Sequence, residues 1–545
     1  MNRSAPVASV APSLLRSGRP SWPIIVLFFV LFAVTAVRLG GDATPDFRIY
    51  HFYNGFAALH DRTKLDIAPA QMQTMFFNGL DAVNVLIFRV FDTMPTVINI
   101  ILSVPYSLTA ILLFALARIF FGRPGLLSEA TCALVALFGL SGAGALPTLA
   151  TTMTDITASV PMFAALAYWF WREKDERNSV RSAVMAGLLG GASVGLKLTT
   201  APVFVGFFAV ILLRRMFGRR TAIVEALLFG ACGVMVFFAI DATWLWHNWE
   251  LYRNPIFPLM NDVFKSDYAA YGSYSDTRFF PKTLKMALFY PAYWTFRDSN
   301  DAIELTMRDG RVLVACLGAL FVLAVGVARR LVVRRAVAVG ADHLATYLAI
   351  IVLVSYGLWE VEWSIYRYLA IDECLSGVML LAALGMAWRS APRAWLTVGF
   401  VVIALPVAAT THYPWWSRAA PSDRAVSVSL PAIEPDAMIV LLDPYAYSYL
   451  VPFLPPSVRV IGANSNLVHP GSPDKLQVTV AAAINGDAGP LWGLQFPQAF
   501  PGAADATLKF YRLSRVPGSC QIVPSNIEDG PHIQLCRLLR APLPH

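Results

Sequence analysis

Apolar residues fall in long blocks along this chain, with basic residues gathered in the short gaps between them. The runs Trp22–Val37, Thr96–Phe121, Leu126–Leu146, Ile156–Trp171, Ala183–Leu196, Ala201–Leu213, Ile223–Trp246, Val312–Ala328, Leu344–Trp359, Leu369–Trp388 and Trp395–Ala409 predict about 11 membrane-crossing helices, since a span needs roughly 20 mostly apolar residues. The run Ala287–Trp294 is too short to cross and reads as a re-entrant or interfacial segment. Counted from a first helix with its N-terminus inside, the basic gaps all fall on one side: Arg118 and Arg123, Arg172 to Arg181, Arg214 to Arg220, Arg329 to Arg335, and Arg389 with Arg393. Short cytoplasmic loops carry such an excess. A cleaved signal peptide is the rival reading of the first run, but Val37-Arg38-Leu39 offers no small-residue cleavage site.

The expected fold is therefore an α-helical polytopic membrane protein, multi-pass in the bacterial inner membrane. Its parts are a cytoplasmic tail 1–20, a transmembrane domain 21–412 with outer loops 40–94 and 247–310, and an extracytoplasmic domain 413–545. In that last region Ala437–Leu442, Ser457–Ile461, Thr507–Leu513 and His532–Leu538 read as strands and Tyr445–Leu454 as helical, with Pro and Gly between them. A small α/β domain of roughly 130 residues is long enough for its own core.

Composition agrees: 57% of the 545 residues are apolar and 14% charged, with a mean hydropathy of +0.56. The net charge of +8 could serve a nucleic-acid partner, but its confinement to gaps between spans argues for topology instead. Cys132, Cys232, Cys316 and Cys374 lie in apolar runs, where a thiol packs as a small hydrophobe. Cys520 and Cys536 lie in the polar C-terminal region, and a disulfide between them would contribute about 3 kcal/mol by loop closure. Neither CxxC nor zinc-type spacing occurs. The sequence demands no cofactor; assistance by a divalent metal is left open.

Chemistry concentrates in Thr44–Asp81, TPDFRIYHFYNGFAALHDRTKLDIAPAQMQTMFFNGLD. Asp46 stands just past the first span, partly desolvated, where a carboxylate can act as a general base or cap the following helix. His51 lies among Tyr50, Tyr53 and Asn54, with Arg48 close by, a polar aromatic face suited to a sugar ring. His60, Asp61 and Asp66 read as structural, with Asp66 capping a short amphipathic interfacial helix. Asp155, at the start of a descending run, is a second outer carboxylate, catalytic or capping. Lys197 and Tyr366-Arg367 place cations on the outer side against the trend, where a lipid phosphate is the natural anion. Snorkelling of Lys197 and a salt bridge of Arg367 to Glu360 or Glu362 are the alternatives. In Trp244–Asn261, Asn254-Pro255 and Phe257-Pro258 force a kinked loop beside interfacial tryptophans, with Arg253 and His247 as weaker candidates.

An acid just after the first span, a long helical first outer loop, the Asn254-Pro255-Ile256-Phe257-Pro258 loop and a basic residue before a late span together resemble GT-C-type integral membrane glycosyltransferases. The block Tyr50–Leu59 with Asp66-Ile-Ala-Pro-Ala-Gln is similar to a bacterial branch of that superfamily. A single Asp46 stands where some members carry two acids. The resemblance implies a cell-envelope enzyme that moves a sugar from a polyprenyl-phosphate donor to a glycan, lipid or protein acceptor, with inversion. By analogy Asp46 deprotonates the acceptor, and Arg367 and Lys197 hold the departing lipid phosphate. Two other classes compete: a transporter or flippase of lipid-linked saccharides, which needs paired polar groups near mid-membrane, and a non-catalytic membrane scaffold.

Overall fold

The computed structural model describes residues 21–122, 125–175, 177, 179–332, 341–528 and 532–540. The expected tail 1–20 and Arg123, Arg334 and Arg335 lie outside them. Among the described residues, 8 helices are long and apolar enough to cross a membrane: Trp22–Leu39, Pro95–Phe121, Leu198–Met216, Ala222–Tyr252, Arg311–Arg329, His343–Glu362, Tyr366–Ala387 and Arg393–Thr410. Two shorter apolar helices, Leu126–Leu140 and Val180–Leu196, and the more polar Asp155–Lys174 helix stand at the remaining predicted spans. The architecture is that of a polytopic helical membrane protein with a small C-terminal sheet domain.

The helix Ala370–Ala387 runs through the middle of the bundle, buried along nearly its whole length. Small residues let helices close on one another, as expected where lipid supplies no hydrophobic drive. A Cβ on Gly191 would lie 2.3 Å from the Gly233 carbonyl oxygen, so Val180–Leu196 and Ala222–Tyr252 meet backbone to backbone. The basic helix ends lie together: Lys174 donates to the Ile119 carbonyl at 2.9 Å, Arg393 to Phe121 at 2.8 Å, and Arg329 to Met386 at 2.9 Å. Arg214 bridges Glu173 and Glu225 at the same end. The grouping of charges that the sequence pattern implies is thus a spatial one.

At the opposite end sit the first loop, the long loop and the C-terminal domain. In that domain β3 (Met438–Leu441), β4 (Arg459–Gly462) and β5 (Leu491–Gln495) are parallel, in the order β4-β3-β5, and β8 (Gln534–Arg540) follows antiparallel, with β6 (Leu513–Arg515) and β7 (Gln521–Ile522) on it. Helices Lys475–Gly486 and Ala503–Phe510 complete it. The expected strand Thr507–Leu513 is mostly helix. Ala504, Thr507 and Leu508 are its buried positions, a helical spacing that the short apolar run concealed. The expected pairing of Cys520 with Cys536 is present.

The first loop is woven into this domain. Strand β1 (Gly41–Asp42) pairs with β2 (Arg418–Ala419), and Ile67 extends the large sheet beyond β4, donating to Val460 at 3.0 Å and accepting from Gly462 at 2.8 Å. Asp66 does not cap a helix. It takes both ends of a fork from Arg62, at 2.8 and 2.9 Å, together with Tyr53 Oη and the Val460 amide. Arg62 in turn donates to the Pro456 and Val458 carbonyls. The expected interfacial helix after Asp66 is a short 3₁₀ turn, Gln71–Met75, held by Pro444 and Asn466 of the C-terminal domain.

Candidate active site at the loop end of the bundle

Thr44-Pro45-Asp46 starts the segment that carries the site. The Thr44 hydroxyl accepts from the Phe47 amide at 3.2 Å, so Thr44 caps this turn and Pro45 sits where its missing N–H costs nothing. Asp46 makes no capping bond, which leaves its carboxylate available for side-chain partners. The next residues, Phe47–His51, form a turn of π-helix in which the Phe52 amide reaches back to Phe47. Such wide turns are strained and recur at functional sites. Here the turn brings Tyr50 and His51 over the face from which Asp46 projects.

Asp46 meets Arg367, whose Nη1 donates to its Oδ2 at 2.9 Å. Tyr50 Oη adds a long contact of 3.4 Å to the same oxygen. Arg367 is not paired with Glu360 or Glu362; it lies with its guanidinium 5.0 Å from the Trp416 ring and 5.9 Å from Tyr368. Lys197 Nζ stands 2.7 Å from Asp155 Oδ1, in contact but at an angle that leaves both Asp155 oxygens without a hydrogen bond. Tyr368 is common to the two pairs, since Lys197 Nζ also lies 5.8 Å from its ring centroid. Burial alone would raise the Asp46 carboxyl, but Arg367 beside it, helped by His51 and Lys197, holds it below the ordinary aspartate value.

A third pair completes the cluster. His51 Nδ1 lies 2.6 Å from Asp81 Oδ1, and the Tyr50 ring packs on the imidazole at 4.0 Å. Because a carboxylate only accepts, Nδ1 carries a proton, and in the neutral ring Nε2 then keeps its lone pair. Asp42 fixes the register of the whole: it accepts from the Thr44 amide at 2.9 Å and from the Thr152 amide and hydroxyl at 2.7 and 2.8 Å. That clamp sets the Asp46 turn beside the loop leading to Asp155.

Other expected binders point elsewhere. Arg48 donates to Glu528 at 2.7 Å and Tyr445 at 3.2 Å, across to the C-terminal domain. Tyr53 is spent on Asp66, Asn54 on the Gln73 carbonyl, and Tyr366 on Glu373 at 2.8 Å. Arg253 is an exposed residue ending the Ala222–Tyr252 helix in a left-handed conformation. Residues that sequence reasoning missed are Asp42, Asp81, Tyr368 and Trp416. Asp81 lies in an ordinary amphipathic helix and gives no sign. Trp416 follows the last span, where an aromatic beside the membrane passes for an anchor. Among the described residues no group of three or more His, Cys, Asp or Glu side chains could hold a metal ion. Asp46 and Asp155 each face a cation.

No protein-family model matches this chain, and no curated protein matches it. Two solved structures resemble it distantly. ArnT from Cupriavidus metallidurans, bound to undecaprenyl phosphate, aligns with 96% of this chain and 100% of its own at 13% identity and a TM-score of 0.45. The Archaeoglobus fulgidus oligosaccharyltransferase, in its apo form, aligns with 90% of this chain and 71% of its own at 11% identity and a TM-score of 0.47.

Proposed function

We propose that this protein is a membrane glycosyltransferase that transfers a sugar from a polyprenyl-phosphate donor to a hydroxyl acceptor on the extracytoplasmic face of the inner membrane. The observation that carries this reading is the Asp46–Arg367 pair at 2.9 Å, with Arg367 buried and Asp46 largely so, at the loop end of the bundle and with bonding capacity to spare. Arg367 Nε has no hydrogen-bond partner among the described residues, and a guanidinium presents five donors. A phosphate at Arg367 and Lys197 competes with Asp46 and Asp155 for the two cations. Asp46, released from its partner and still in a desolvated position, becomes a stronger base. It then accepts the proton of the acceptor hydroxyl. The acceptor oxygen bonds to the anomeric carbon from the face opposite the phosphate, the bond from that carbon to the phosphate oxygen breaks, and the electron pair leaves with the polyprenyl phosphate. Inversion follows from that single displacement.

Purified protein in lipid vesicles, given a panel of polyprenyl-phosphate sugars, should release polyprenyl phosphate with at least one of them, and Asp46→Asn should not. Absence of turnover with every donor, or full activity in the variant, would refute the mechanism. A flippase instead predicts movement of the lipid-linked sugar between leaflets without cleavage, which the same vesicles would report.

A further inference from the structure

The reading above leaves one buried group without a task. His51 is 5% exposed, its Nδ1 is tied to Asp81 at 2.6 Å, and its Nε2 has no hydrogen-bond partner among the described residues. An orphaned lone pair in a buried position is costly to keep. Tyr50 links the imidazole to Asp46: its ring packs on His51 at 4.0 Å while its hydroxyl lies 3.4 Å from Asp46 Oδ2. Asp81, 4% exposed and on the neighbouring helix Gly79–Val90, does nothing here that a plain structural pair requires. It fixes which nitrogen of the imidazole bears the proton and stands ready to stabilise an imidazolium.

We propose that His51 is the second proton acceptor of the site and Asp81 its positioning residue, an inference that rests on the transferase reading. Asp46 takes the proton from the acceptor hydroxyl as the new carbon–oxygen bond forms. It passes that proton to His51 Nε2 across a bridging water. The imidazolium pairs with Asp81, Asp46 is again anionic, and Arg367 can return to it as the polyprenyl phosphate leaves. The proton then departs from His51 to solvent. Atoms and charge balance: one O–H and one C–O(P) bond break, one C–O bond forms, and the products are the glycosylated acceptor, polyprenyl phosphate and one proton.

The test separates a relay from a bracket. In His51→Asn the amide nitrogen takes the place of Nδ1 and keeps the bond to Asp81, but nothing stands where Nε2 was. In Asp81→Asn the imidazole stays and its tautomer is no longer dictated. Both variants should lose about 10²-fold in kcat while the donor KM and the binding of polyprenyl phosphate alone change less than about threefold, within the scatter of context effects. Wild-type kcat in either variant that still binds polyprenyl phosphate, or loss of that binding in both, overturns the relay. A wild-type protein that turns over no polyprenyl-phosphate sugar defeats the transferase reading itself, a different result from a working enzyme indifferent to residue 51.

Discussion

Two ion pairs stand at the same end of the bundle, one fully buried and one in which Asp46 stays partly exposed, and they differ in how their donors are used. Around Asp309–Arg311, both side chains fully buried, every guanidinium nitrogen has a partner. Arg311 reaches the Phe138 carbonyl at 2.6 Å, Asp309 at 2.7 Å, and Thr411 and Ser141 at 2.9 Å. Asp309 also accepts the Ala143 and Arg311 amides. Around Asp46–Arg367 a single bond joins the pair, and Arg367 Nε and His51 Nε2 have no hydrogen-bond partner among the described residues. A saturated pair holds helices at a fixed distance. An unsaturated one is held in place by its surroundings, with directed groups left over for something else. Asp46 keeps some exposure where Asp309 has none, and the tally of remaining donors separates the two pairs further.

That contrast can be broken by mutation. The largest effect should come from Arg311→Leu, which strands Asp309 in the interior and should cost about 3–5 kcal/mol of stability, seen as a large drop in thermal midpoint in detergent. Asp46→Asn should do the reverse, lowering turnover by about 10²–10⁴-fold with little change in midpoint; a collapse in stability would place the pair among the structural ones. Arg367→Lys keeps the charge and loses the fork, so the donor KM should rise by about tenfold, the equivalent of ~1.4 kcal/mol, while kcat falls less. The smallest effect concerns acid. Folding holds the Asp46 carboxyl below its ordinary value, so the stabilisation is complete above the unfolded value of about 3.9 and is lost as pH falls through the folded one. Asp46→Asn should therefore lose less thermal midpoint than wild type between about pH 5 and about pH 3, and equal losses would mean that the pair adds nothing to the fold.

How much of this could be seen in the chain depended on the range of the interaction. The spans were legible because each carries its own signal in a run of apolar residues, and the common side of the Arg clusters because charge is read per gap. Asp46, His51, Asp155, Lys197 and Arg367 stood out as polar residues in places where membranes discourage them. What could not be read was who meets whom. Arg367 had Glu360 and Glu362 as near neighbours in sequence, yet it pairs with Asp46 across 321 positions. Asp66 looked like a cap because caps are local, but its partners include the Val460 amide, 394 positions away. Strand β5, Leu-Trp-Gly-Leu-Gln, escaped because a glycine and the lack of β-branched residues hide a strand that its neighbours sustain, β3 parallel on one side and β8 antiparallel on the other.

The seam between the first loop and the last domain sets conditions on how the molecule is made. Ile67 extends a sheet whose neighbouring strand ends at Gly462, and Gly41 and Asp42 pair with Ala419 and Arg418. The early partner leaves the ribosome long before the late one, and nearly every membrane helix must be inserted in between. Until then Arg62 and Asp66 have each other but not the backbone groups that complete their bonds. Final assembly of the outer face is therefore a late, long-range step, of the kind that slows folding in proportion to sequence separation. A nascent chain halted before residue 413 would carry Asp46, Asp155, Lys197 and Arg367 in full and still lack Trp416 beneath the guanidinium, β2 beside β1 and the strand that steadies Ile67.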